Sequence, residues 1–220
     1  MDRWEWGPVK NPIRTLLHGG AALTAVIGAA LLARTAAGGR QLLAGLIYSL
    51  TLIAMYTVSA LYHAVGWQDR RRAFMQRLDH SMIFLLVAGT FTPFGVVVLD
   101  GWIRPALLAL VWTIALVGIA LKFVLSRVST RLSVVLQHTM GWLSLVALPL
   151  IWSRAGSGAV WLLLAGGLAY STGTVVFALQ RPRLVARVFS HHELFHVLVI
   201  AGSICHFLAV WWYVMPLPAA

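Results

Sequence analysis

Residues 41–67 read QLLAGLIYSLTLIAMYTVSALYHAVGW, an apolar run without a single Asp, Glu, Lys or Arg. A helix needs about 20 such residues to cross the hydrocarbon core of a bilayer, so this run reads as a transmembrane helix with length to spare for tilting. Comparable runs fall at 15–33, 79–99, 105–125, 132–152, 158–180 and 192–213. The expected fold is therefore all-α, a seven-transmembrane helix bundle forming a single domain over 1–220. Links of about 5 to 12 residues leave no room for a separate soluble domain. The run at 15–33 exceeds the core of about 7–15 residues that a cleaved signal peptide carries, and it counts as a helix.

Composition agrees. Of 220 residues 60% are hydrophobic and 10% charged, against about 25% charged in a soluble domain, and the mean hydropathy is +0.84. Too few charges exist to cover a water-facing surface, which excludes disorder, a collagenous fibre and a soluble nucleic-acid-binding domain. The net charge of +11 must then sit in the loops, where it points to membrane lipids as partners and not to nucleic acid. The lone cysteine, Cys205, rules out an intramolecular disulfide and a Cys-based metal cluster, and reads as a small apolar filler.

The bases give an orientation. Arg3, Lys10 and Arg14 precede the first span; Arg70, Arg71, Arg72 and Arg77 fall between the second and third. Lys122, Arg127 and Arg131 fall between the fourth and fifth, and Arg181, Arg183 and Arg187 between the sixth and seventh. These thirteen share one side, against Arg34, Arg40, Arg104 and Arg154 on the other. Positive residues stay in the cytoplasm, so the N-terminus is expected inside and the C-terminus outside. The four-residue ladders Ala21–Ala25–Ala29–Ala33 and Ala165–Ala169–Gly173 are expected to pack helices closely.

Ionisable groups inside spans cost about 2.5–3.5 kcal/mol each on insertion scales, which makes them informative. The orientation places Ser59 and His63 near the cytoplasmic end of the second span. Asp79 and His80 stand at the same level at the start of the third, and His191, His192, Glu193 and His196 in the first turns of the seventh. His192 and His196 share a helix face, as do Ser59 and His63. Two imidazoles one turn apart can hold one Zn²⁺, His63 would be the third ligand, and three protein ligands with a fourth position open are the catalytic type of zinc site. Asp79 would act as base for the attacking water or hold a ligand in place, and Ser59 would orient the water or the substrate carbonyl. His206, fourteen residues beyond His192, is about 21 Å farther along the helix and reads as interior packing. His18 and His138 could line the same cavity; His80 and His191 read as boundary residues. Residues 192–196, HELFH, also match the H-E-x-x-H pattern of zinc metalloproteases, which would make Glu193 the base.

SALYH (59–63), LDHSMIFLLVAGTFTPF (78–94) and HHELFHVLVIAGSICHF (191–207) together resemble the three signature segments of the haemolysin III and adiponectin–progestin receptor (PAQR) superfamily. MGW at 140–142 and HG at 18–19 resemble its bacterial branch, while Asn11 and Arg14 stand where such relatives often carry Glu and Asn. The resemblance implies the same zinc ligands, His63, His192 and His196, with Ser59 and Asp79 at the metal's water. It further implies a bacterial cytoplasmic (inner) membrane location, a link to membrane lipid homeostasis, and hydrolysis of a ceramide-like or other acyl substrate. Two alternatives stand beside a zinc-dependent lipid hydrolase and the protease: a non-enzymatic sensor or regulator braced by structural zinc, and a haemolysin-like pore. A pore fits poorly with an outer half that is almost uniformly apolar.

Overall fold

Turn residues set where the helices begin and end. Helix α1 (Pro12–Thr35) opens on a proline, whose missing N–H falls where a helix has no acceptor for one. Three residues later α2 (Gly39–Ala64) begins, and after four more α3 (Asp69–Pro93). Pro93 cannot donate to the preceding turn, and the chain continues as one turn of π-helix, Phe94–Val98. There follow α4 (Ile103–Val124), α5 (Thr130–Trp142), a 3₁₀ turn (Leu143–Ala147), α6 (Leu148–Leu179), α7 (His191–Ala209) and a π turn (Val210–Val214). The computed structural model describes residues 9–125, 130–182, 184, 185 and 188–218. Of the bases counted above, Arg3, Arg127, Arg183 and Arg187 lie outside the described residues.

Packing closes the helices into a ring. α1 lies against α2 and α7, α3 against α2, α4 and α5, and α6 against α5 and α7. Tyr48, Phe84, Phe94, Met140 and Ile151 are buried inside, whereas Leu23, Leu50 and Leu179 stand exposed on the outside. A soluble monomer does not present such an apolar exterior. Among the described residues, six helical stretches are long and apolar enough to cross a membrane: Pro12–Thr35, Gly39–Ala64, Asp69–Val98, Ile103–Val124, Leu132–Leu179 and His191–Val214. The protein is an all-helical, multi-pass integral membrane protein.

The fifth stretch has 48 residues, about 72 Å of helix, more than twice the apolar thickness. It is broken at Gly156, where φ is +83°, a region that favours glycine. Gln137 donates from Nε2 to the His80 carbonyl at 3.3 Å, and Arg154 reaches the Val98 carbonyl at 3.0 Å and pairs with Asp100. Phe177 then lies 5.1 Å, ring to ring, from His192. The path thus leaves the end of the bundle that holds His80 and His192, touches the turn between α3 and α4 at the other end, and returns.

Two expectations need adjustment. The third helix begins ten residues before Asp79, so Arg70, Arg71, Arg72 and Arg77 are helical and not in a loop. Most of its first two turns is exposed, so the helix continues past its apolar part with its charges in water. Lys122 likewise belongs to the last turn of α4. The ladders also hold only in part: Ala25 is buried and Gly173 meets Phe195 and Leu198, but Ala33 and Ala165 are exposed. The backbones of α6 and α7 approach closely instead at Gly166 and Gly202. A Cβ on either would come within 3.0 Å of the other's carbonyl oxygen. Gly202→Val is therefore expected to destabilise the bundle by about 1–3 kcal/mol, read as a lower melting temperature in detergent, whereas Gly20→Ala, with open space around it, should change little.

Candidate metal centre

Three local devices build one site at one end of the ring. The last turn of α2 carries His63. Its terminal carbonyls, which a helix cannot satisfy by itself, are met by the chain just before α1: Lys10 N–H donates to Ala64 at 3.0 Å and Asn11 N–H to His63 at 3.1 Å. The start of α7 carries His192 and His196 on adjacent turns. That start is fixed by a capping box, in which the Glu193 carboxylate accepts from the Ser190 N–H at 2.8 Å and from its hydroxyl at 2.7 Å. The other Glu193 oxygen accepts from Arg14 Nε of α1 at 2.6 Å. Both histidine-bearing ends are thus tied to the first turn of α1 and the residues before it.

The geometry that results is close. One nitrogen from each of His63, His192 and His196 lies within 4.8 Å of the other two. Their rings are 4.9 to 5.2 Å apart, centre to centre. His63 is 3% exposed and His196 2%. Asp79 and Ser59 line the same cavity. The cavity measures 490 Å³ and runs from these residues to apolar side chains such as Leu148, Ile151 and Leu163. That volume suits a small-molecule or single-chain ligand, for which pockets are about 300–1,000 Å³.

The family is settled by comparison with known proteins. A family model described as haemolysin-III related matches residues 7–207. The chain belongs to the haemolysin-III-related family. It is 34% identical to Hemolysin-3 of Bacillus cereus over 170 residues, 77% of this chain and 74% of that protein. It is 33% identical to the Hemolysin-3 homolog of Bacillus subtilis (strain 168) over 173 residues, 78% of each. A rice protein, "Heptahelical transmembrane protein ADIPOR2", is 30% identical over 182 residues, 75% of this chain and 78% of the relative.

Within this family member the donor set can be tested for a metal. A buried nitrogen without a partner is costly, and Nδ1 of His196 is such an atom. Three neutral imidazoles converging on one point suit zinc or another first-row ion. The site fits a metal. Glu193 stands apart from this chemistry, since Arg14 and Ser190 hold its carboxylate.

The remaining histidines separate. His18 stacks on His196, ring centres 3.9 Å apart, with both nitrogens buried and unpartnered, and Tyr56 meets it edge-on at 5.0 Å. His206 donates from Nε2 to the Leu163 carbonyl at 3.2 Å and packs on Tyr170. His138 lines the cavity, with Nδ1 at 3.0 Å from the Val134 carbonyl. A hydroxyl chain went unread in the sequence: Tyr56 donates to Ser203 at 2.7 Å, and Tyr170 joins the same Oγ at 2.8 Å. Only the hydroxyls placed within apolar helices could have signalled it.

Proposed function

We propose that this protein is a zinc-dependent hydrolase of lipid amides or esters, set in a bacterial inner membrane and concerned with membrane lipid homeostasis. The observation that carries the reading is the convergence of His63, His192 and His196 on a mainly apolar cavity that Asp79 and Ser59 also line. His63, His192 and His196 would hold the metal. Zinc, when bound, supplies a Lewis acid for water and for a carbonyl oxygen. Asp79 takes the proton from the attacking water and returns it to the departing amine or alcohol. Ser59, beside Asp79, orients the water or the carbonyl. The apolar wall holds an acyl chain and keeps bulk water from the reacting bond. The test is turnover by purified protein on a ceramide-like amide, measured by mass spectrometry with and without chelator. Activity that survives full metal removal would overturn the reading.

A metalloprotease is less well supported, because Glu193 is tied up in a cap and an ion pair. A structural brace has one observation in its favour: α2 and α7 each pack on α1 and not extensively on each other, so a metal between His63 and His192 would join helices that otherwise meet little.

We count seven spans, with Leu132–Leu179 crossing twice around Gly156, in keeping with the printed name of the rice relative. The imbalance of bases puts the N-terminus and the metal centre on the cytoplasmic side. A reporter that requires export, fused after Ala220, is expected to be active, and one that works only in the cytoplasm silent. The reverse pattern would move the centre to the outer face.

A further inference from the structure

Lys122 is used by none of the chemistry above. It closes α4 beside the start of α3, where Phe123 and Phe74 pack ring to ring at 5.8 Å. A lysine at a cytoplasmic helix end ordinarily extends its ammonium into water. Lys122 does not: it is 8% exposed and lines the same cavity as the histidines. No carboxylate among the described residues forms an ion pair with it. Two further cations, Lys10 and Arg72, line the cavity, and Arg14 is already paired with Glu193. Among the described residues Asp79 is the only acid in the lining. The cavity therefore has an apolar depth and a rim with an excess of positive charge. A cation held away from bulk water calls for a counter-charge, and among the described residues Asp79 is the one acid of the lining.

We propose that Lys122 is a specificity-determining residue that selects lipids with an anionic headgroup, a phosphate or a carboxylate, while the apolar depth takes the chain. Neutral lipids of equal length then bind more weakly. The inference rests on the hydrolase reading for a lipid occupant but not on turnover. Its test accordingly uses ligands with no bond to cleave.

Binding of hexadecyl phosphate, hexadecanol and inorganic phosphate is measured on the full chain in detergent micelles, by native mass spectrometry and by thermal shift. Wild type is expected to prefer hexadecyl phosphate to hexadecanol by about tenfold, the loss of one charge-assisted contact, and to bind inorganic phosphate far more weakly. Lys122→Met should abolish the preference with hexadecanol unchanged, and Lys122→Arg should keep most of it. His63→Ala should also keep it, which separates Lys122 from a phosphate bound at the metal centre. If Lys122→Met fails to fold, the salt dependence of wild type decides: binding of hexadecyl phosphate should fall with added NaCl and that of hexadecanol should not. Equal affinity for the two lipids, a preference unchanged in Lys122→Met, or inorganic phosphate binding as tightly as hexadecyl phosphate would each overturn the assignment. A hydrolase reading that fails would look different, with headgroup preference intact and no turnover of any amide or ester.

Discussion

Alanine in place of His196 is expected to take the protein from about one zinc per chain to background, read by elemental analysis after purification. The same holds for His63 and His192, since a site of three ligands left with two has lost its catalytic coordination set. The size of the effect follows from the geometry. The three rings come from two helices, bring one nitrogen each within 4.8 Å of the other two, and leave the described residues with no fourth His, Cys, Asp or Glu ligand in that group. His206→Ala is the control, because its ring bonds to Leu163 far along α7, and it should keep its metal. Binding is linked to stability: zinc at one hundred times its dissociation constant should stabilise the wild-type fold by about 2.7 kcal/mol. That gain should vanish in His196→Ala. Zinc retained in full by all three alanine variants would remove the site.

Why the histidine cluster was legible in the sequence and its supports were not is a matter of cost and range. A histidine in a span is expensive, so His63, His192 and His196 stood out singly, and the i, i+4 spacing joined two of them on one face. Helix orientation then brought the third to the same depth. The supports lack such a signal. Arg14 and Glu193 are 179 residues apart; Arg14 alone reads as one of the bases before the first span, and Glu193 as part of the H-E-x-x-H match, with nothing to pair them. His18 gains meaning only from its stack on His196. The start of α3 escaped because apolar content marks where a helix enters lipid, not where it begins, and its first turns carry arginines in water. The break at Gly156 was legible as a short link between two apolar runs, 132–152 and 158–180, although helix persists on both sides of it.

The choice between the two carboxylates gives the second large effect. Asp79→Asn removes the only acid among the described residues that line the cavity and keeps its size. If Asp79 moves the proton of the attacking water, kcat should fall by about 10²–10⁴, with zinc content unchanged. Glu193→Gln tests the H-E-x-x-H pattern in the same assay. The Glu193 carboxylate accepts from Arg14, from the Ser190 amide and from the Ser190 hydroxyl, so its contribution is to position α7 on α1. A glutamine there keeps one acceptor oxygen but loses the ion pair with the buried Arg14, at a cost of about 1–3 kcal/mol. Glu193→Gln should therefore melt earlier, bind zinc, and turn over a lipid amide within a few-fold of wild type. Assayed at matched zinc content, an inactive Glu193→Gln beside an active Asp79→Asn would transfer the role of base to Glu193. In that event the carboxylate must leave Arg14 and Ser190 during turnover, and Arg14→Met, which frees it from the ion pair, should raise the rate instead of only lowering the melting temperature.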